Sequence, residues 1–146
     1  MQELIIKSPA FEPNKLIPKK YSCDGNDINP PLNIENVPKD AKTLVLLMDD
    51  PDAPSGTFDH WIVWNIPTST KSISENSIPG KEGLNSAKQQ GYMGPCPPSG
   101  THRYFFKVYS LDTELNLSAS SRKKDVEKVM ERHILAKGEL IGLYHR

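Results

Sequence analysis

The 146-residue chain has no excess of charge of either sign, since 18 Lys and Arg face 18 Asp and Glu. Without a net field, nothing in the overall charge favours nucleic acid or an anionic membrane surface, so any anion must be held by local chemistry. Long apolar runs are missing as well. The longest useful one, Thr43 to Met48, falls far short of the roughly 20 residues needed to span a bilayer as a helix. The start, Met1-Gln2-Glu3-Leu4, shows no basic segment leading into an apolar stretch, so the expected location is the cytoplasm. Cysteine is scarce: Cys23 and Cys96 alone cannot staple a disulfide scaffold and have no partner spacing for structural zinc. They read as thiols, although a fold that juxtaposes them could pair them.

Proline, by contrast, is abundant. Thirteen residues in 146 is nearly twice the usual share of about 5%. They are scattered between apolar segments, from Pro9 to the Pro97-Pro98 pair, and so punctuate strands and loops and exclude long helices from most of the chain. No internal repeat is visible, and the length suits one domain spanning residues 1–146.

Four stretches rich in β-branched or aromatic residues read as strands, namely Leu4–Ser8, Thr43–Asp49, His60–Ile66 and His102–Leu111. Thr-Leu-Val-Leu-Leu-Met at 43–48 has no polar alternation and is expected to be covered on both faces. Lys19–Ser22, Leu32–Ile34 and Glu139–Tyr144 add shorter strands, and about seven short strands imply a sandwich or barrel. One helix is expected from about Arg122 to Leu135, because Val126, Val129, Met130, His133 and Ile134 recur at three- and four-residue intervals, with Ser120 or Ser121 as its cap. His133 on that apolar side reads as a core or interface residue. The segment 68–93 reads as one long irregular connection.

The chemistry gathers at strand ends. Side chains alternate along a strand, so His60 is expected to share a face with Ile62, Trp64 and Ile66, while His102 and Tyr104 share one with Phe106 and Val108. Asp50 follows the apolar strand directly, and Pro51 and Pro54 stiffen the turn after it. Arg103 points away from His102 and is expected to pair with an aspartate of the 50–52 turn. The stretch Gly91 to Gly100 contributes Cys96, Pro97 and Pro98 as a rigid wall leading into His102. Imidazole N–H, tyrosine O–H and backbone N–H groups could together hold a phosphate, with Asp50 as the orienting acceptor and the histidines making affinity depend on pH. On residue types alone, Asp50, His60 and His102 could also form a two-histidine, one-carboxylate metal site. Ser99 or Cys96 with a histidine and Asp50 would be the makings of a hydrolase, although no elbow or oxyanion hole accompanies them.

The blocks Asp50-Pro51-Asp52-Ala53-Pro54, Gly56-Thr57-Phe58-Asp59-His60-Trp61 and Gly91-Tyr92-x-Gly94-Pro95-Cys96-Pro97-Pro98-x-Gly100-x-His102-Arg103-Tyr104 resemble, in order and spacing, the phosphatidylethanolamine-binding protein family in its short bacterial and archaeal branch. Tyr21-Ser22-Cys23-Asp24-Gly25, Asn29-Pro30-Pro31-Leu32 and the stretch from His133 to Gly142 extend the similarity over nearly the whole chain. The resemblance implies a mostly β protein, an antiparallel Greek-key-type β-sandwich with one or two short helices, and a pocket at one end for phosphate or phosphoethanolamine-like groups. By motif position the ligand-binding residues are Asp50, His60, Cys96, Pro97, Pro98, His102 and Tyr104, with no metal and no cofactor, and Ala53–Pro54 as a cis bond. Ile34 stands where many members carry tryptophan, and the chain lacks the longer C-terminal part of eukaryotic members. The implied role is non-enzymatic binding or regulation, with a small anionic ligand, a kinase or serine protease as partner and a homodimer among the assemblies to test. An exposed protease-inhibiting loop within 68–93 is the alternative.

Overall fold

The computed structural model describes residues 2–146. Its strands are β1 (Gln2–Glu3), β2 (Ile5–Lys7), β3 (Leu32–Glu35), β4 (Thr43–Asp50), β5 (Phe58–Ile66), β6 (Ser72–Ile73), β7 (Lys81–Glu82), β8 (Thr101–Leu111) and β9 (Ile134–His145), with one α-helix, α1 (Lys123–Met130). They form a six-stranded sheet, β1-β9-β8-β4-β5-β7, and a three-stranded sheet, β2-β3-β6. All pairings are antiparallel except β1 with β9. After the β4–β5 hairpin the chain returns through a long connection, and β8 lies beside β4 on the side away from β5, the step that defines a Greek key.

Alternation along β4 explains why it is apolar throughout. Leu44, Leu46 and Met48 face the small sheet, packing with Leu32, Ile34, Ile73, Phe106 and Val108. Val45 and Leu47 face the other way and are covered by Val126 and Met130 of α1. All eight residues of β4 are buried, as a strand sandwiched between a sheet and a helix must be. Ile34 is itself buried in the main core.

β5 departs from simple alternation twice. Its register against β4 shifts between Leu44 and Leu46 and again between Met48 and Asp49, where Trp61 opposes Met48 and Asp59 opposes Asp49. One residue, His60, is thus extra on β5. Such a bulge turns a side chain to the other face, so His60 leaves the row of Ile62 and Trp64 in which alternation had placed it. It lies instead against Tyr104, with ring centroids 5.3 Å apart. The second bulge lies beside Asn65, whose φ is 53°, and moves Ile66 into the main core.

Other local readings are corrected too. Lys19–Tyr21 is a 3-10 turn, and 68–93 contains β6 and β7. The helix is shorter than its apolar spacing suggested, because Glu131 and Arg132 already turn the chain toward β9. The cap is supplied by Asp125, which accepts from the Arg122 backbone N–H at 2.9 Å, and not by Ser120 or Ser121. His133 lies beyond the helix and outside the core, its ring partly exposed and paired to Asp112 at 2.7 Å. No peptide bond among the described residues is cis, so Ala53–Pro54 is trans. No helix among them is long and apolar enough to cross a membrane.

Candidate functional site

At the end of the sandwich where β4 stops and β8 begins, a cavity of about 150 Å³ opens between the Asp50 turn and the Gly91–Gly100 loop. Its polar lining is Asp50, His60, His102 and Tyr104, and its apolar walls are Ala53, Pro54, Phe58, Met93, Pro97 and Pro98, with Gly94 and Cys96 completing it. All seven residues singled out from the sequence thus meet around one hollow. Ala53, Pro54, Phe58, Met93 and Gly94 were not singled out, although each stands inside the motifs that carried the reading.

His102 and Tyr104 sit two apart on β8 and face the same way, as alternation requires. The His102 Nδ1–H donates to Asp50 Oδ2 at 2.7 Å, and both side chains are buried. Asp50 Oδ1 accepts the Asp52 backbone N–H at 2.8 Å, so each carboxylate oxygen has a donor. This Asx-type turn, set by Pro51, aims the carboxylate back into the sheet. His60 Nδ1 lies 2.7 Å from the Met93 carbonyl, and because a carbonyl only accepts, Nδ1 carries the proton. In both rings Nε2 is left for the cavity. Burial holds His60 below its ordinary pKa, the Met93 hydrogen bond and the nearby aspartates opposing it, so the ring is neutral at physiological pH.

Tyr104 is completely buried, and its hydroxyl makes no well-formed hydrogen bond within the chain, although the Asp50 carboxylate and the Cys96 backbone act on it. Burial, and then the Asp50 charge, push its pKa up, so it is a phenol and a donor. A buried hydroxyl left unpaired costs about 1–3 kcal/mol, and such groups are uncommon enough to call for an explanation.

The loop wall is moored from several sides. The Met93 N–H donates to the His60 carbonyl at 3.0 Å, and the Cys23 N–H to the Pro95 carbonyl at 3.1 Å. Gly94 N–H donates to Asp27 Oδ1 at 2.8 Å, and Tyr92 Oη to the Tyr21 carbonyl at 2.6 Å. Cys23 and Cys96 are joined by a disulfide, their Cα atoms 5.5 Å apart although 73 positions separate them. The reading of two thiols is therefore corrected: the fold brings together what chain separation conceals. A disulfide sulfur is not a nucleophile, and Ser99 is not among the residues lining the cavity. Among the described residues, no three His, Cys, Asp or Glu side chains are placed to hold a metal ion. Outside the cavity, Arg103 donates to both carboxylate oxygens of Asp52 at 2.9 and 3.0 Å, as expected, and holds the Asp52 carboxyl down at about 2.

The chain matches the family model described as phosphatidylethanolamine-binding protein over residues 7–145. It is 46% identical to a UPF0098 protein of Methanothermobacter thermautotrophicus, with 97% of this chain and 98% of that one aligned. It is 50% identical to a UPF0098 protein of Pyrococcus horikoshii, covering 95% and 75%. A crystal structure described as a phosphatidylethanolamine-binding protein homologue from Chlamydia trachomatis superposes with a TM-score of 0.96 at 40% identity, covering 100% and 99%. E. coli YbcL, described as a new member of the mammalian family, superposes at 0.91 with 25% identity, covering 99% of each chain. With fold, motifs and sequence in agreement from one end to the other, the chain belongs to the phosphatidylethanolamine-binding protein family.

Proposed function

We propose that the cavity between the Asp50 turn and the Gly91–Gly100 loop binds a small oxyanion, a phosphate monoester or a carboxylate, and that the protein acts by binding and not by turnover. The observation that carries this reading is the unpartnered, buried Tyr104 hydroxyl in the wall of a cavity it shares with two imidazoles. A ligand oxygen that accepts from Tyr104 restores the missing bond, and hydrogen bonds to a charged acceptor are the stronger kind. Neutral His60 can accept from a protonated phosphate oxygen through Nε2. His102 keeps its bond to Asp50 in either protonation state and, when doubly protonated, offers Nε2–H as a further donor. Both Asp50 oxygens already have donors, which lowers the repulsion an incoming anion meets. No Lys or Arg lines the cavity, so affinity is expected to be modest. The apolar walls suit a short carbon substituent on the anion. A kinase or protease partner would fit this reading if it presents a phosphorylated or carboxylated side chain to the cavity.

The test is a thermal-shift titration with inorganic phosphate, phosphoethanolamine and acetate, on the native chain and on His102→Ala. Phosphate is expected to raise the melting temperature of the native protein and not of the variant. A melting curve indifferent to every anion would sink the proposal.

A further inference from the structure

We propose that the Cys23–Cys96 disulfide is a redox latch on this cavity: formed, it holds the Cys96-Pro97-Pro98 wall in its binding position, and reduced, it lets the wall move and weakens the ligand's hold. The inference rests on the oxyanion-binding reading and adds its regulation.

The latch sits where other restraints run out. Upstream, Met93, Gly94 and Pro95 are tied by hydrogen bonds to His60, Asp27 and Cys23. Downstream, Gly100 and Arg146 exchange two backbone hydrogen bonds at 2.8 and 3.0 Å. Between these anchors, residues 97–99 make no backbone hydrogen bond to another segment among the described residues, and Pro97 and Pro98 have no N–H to offer. The disulfide at Cys96 is the last cross-link before this gap, one residue beyond the Pro95 anchor on the same Cys23, and Cys96, Pro97 and Pro98 all line the cavity. Pre-positioned walls bind more tightly because less order has to be imposed when the ligand arrives, so removing the cross-link acts on affinity at a distance from the polar contacts.

Both cysteines are exposed, within reach of a reductant. The surroundings also give the exchange a direction. Arg146 Nη1 lies 3.5 Å from Cys96 Sγ, whereas Asp24 Oδ1, which the same guanidinium pairs at 3.3 Å, lies 4.0 Å from Cys23 Sγ. A cation favours a thiolate and a carboxylate disfavours one, so Cys96 is the better leaving group. A dithiol attacks Cys23 Sγ through one thiolate: a mixed disulfide forms, the Cys23–Cys96 bond breaks, and its electron pair leaves on Cys96 beside Arg146, where the Cys96 thiolate then takes a proton from water. The second thiolate of the reductant then attacks its own sulfur in the mixed disulfide and releases Cys23, which takes a proton. The dithiol closes to a cyclic disulfide, and the protein has gained two electrons and two protons.

The experiment is calorimetric titration with inorganic phosphate of the oxidised protein, the same protein reduced with dithiothreitol, and the Cys23→Ser variant, each with its free thiols counted and its far-UV spectrum recorded. Phosphate is expected to bind about five- to tenfold more weakly to the reduced protein and to the variant, with affinity restored on reoxidation of the native chain. Arg146→Ala is expected to slow reduction severalfold. Equal affinity in the two redox states, with two thiols counted in the reduced sample, would overturn the latch while leaving the oxyanion reading intact. A far-UV change to an unfolded spectrum on reduction would overturn it as well, marking the bond as a structural brace. Phosphate binding in no state would refute the oxyanion reading itself, and the latch with it. Where Cys23→Ser fails to fold, the reduced native chain decides.

Discussion

Replacing Tyr104 by phenylalanine removes one oxygen atom and keeps the ring that packs on His60 and His102. The hydroxyl makes no well-formed hydrogen bond within the chain, with the Asp50 carboxylate and the Cys96 backbone as its polar neighbours, so its loss removes a poorly satisfied donor from the interior at little cost in internal hydrogen bonding. Stability of the ligand-free protein should therefore hold or rise by up to about 1 kcal/mol, worth roughly 2–4 °C in melting temperature for a chain of this size. Binding moves the opposite way. If the hydroxyl donates to a charged oxygen, the bond contributes about 1.5–3 kcal/mol, and phosphate affinity should fall roughly ten- to hundredfold. Thermal melts without anion and calorimetric titration with phosphate measure the two quantities on the same preparation. A structural hydroxyl would behave differently, lowering the melting temperature by several degrees while leaving phosphate affinity alone, and that outcome would refute the reasoning.

Three further outcomes are expected. His60 is held neutral by burial, below its ordinary pKa of 6.5. The folded state therefore takes up its proton later than the unfolded state, and stability falls as the pH drops below about 6.5 until the folded pKa is passed. His60→Gln should flatten that part of the pH profile in denaturant melts, and an unchanged slope would assign it to other groups. Gly94→Ala places a Cβ against the Tyr21 carbonyl and Asp27, so it should cost about 1–3 kcal/mol and weaken phosphate binding by shifting the loop, both read from chemical denaturation and titration. Arg103→Ala should let the Asp52 carboxyl titrate upward from about 2 toward its ordinary value, followed by carboxyl-carbon NMR, with phosphate affinity within twofold of the native chain because Arg103 does not line the cavity.

What the sequence made legible is whatever short-range patterning controls. Thr43–Asp50 announces its double burial by lacking polar alternation, and the structure covers it on both faces. His102 and Tyr104 lie where period-two alternation puts them, because β8 runs without a register shift until Ser110. The Arg103–Asp52 pair follows from the same alternation. The misreadings come from events that alternation and spacing do not encode. His60 changes face because of one extra residue in β5, a property of pairing with β4 and not of the local sequence. The helix ends at Met130 although apolar residues continue in register to Ile134, since those later residues are claimed by β9 and tertiary pairing outweighs periodicity. Cys23 and Cys96 meet through a fold-level approach of two distant loops. The apolar walls Phe58 and Met93 were visible as motif members, but nothing in residue type distinguishes a pocket wall from ordinary packing.

The most direct test of the central claim is a crystal structure of the protein grown in phosphate at neutral to slightly acid pH. The account predicts one phosphate in the cavity, with an oxygen within hydrogen-bond distance of Tyr104 Oη and at least one imidazole Nε2. A cavity holding only water at saturating phosphate, or an ion bound elsewhere with the Tyr104 hydroxyl still unpaired, would contradict it.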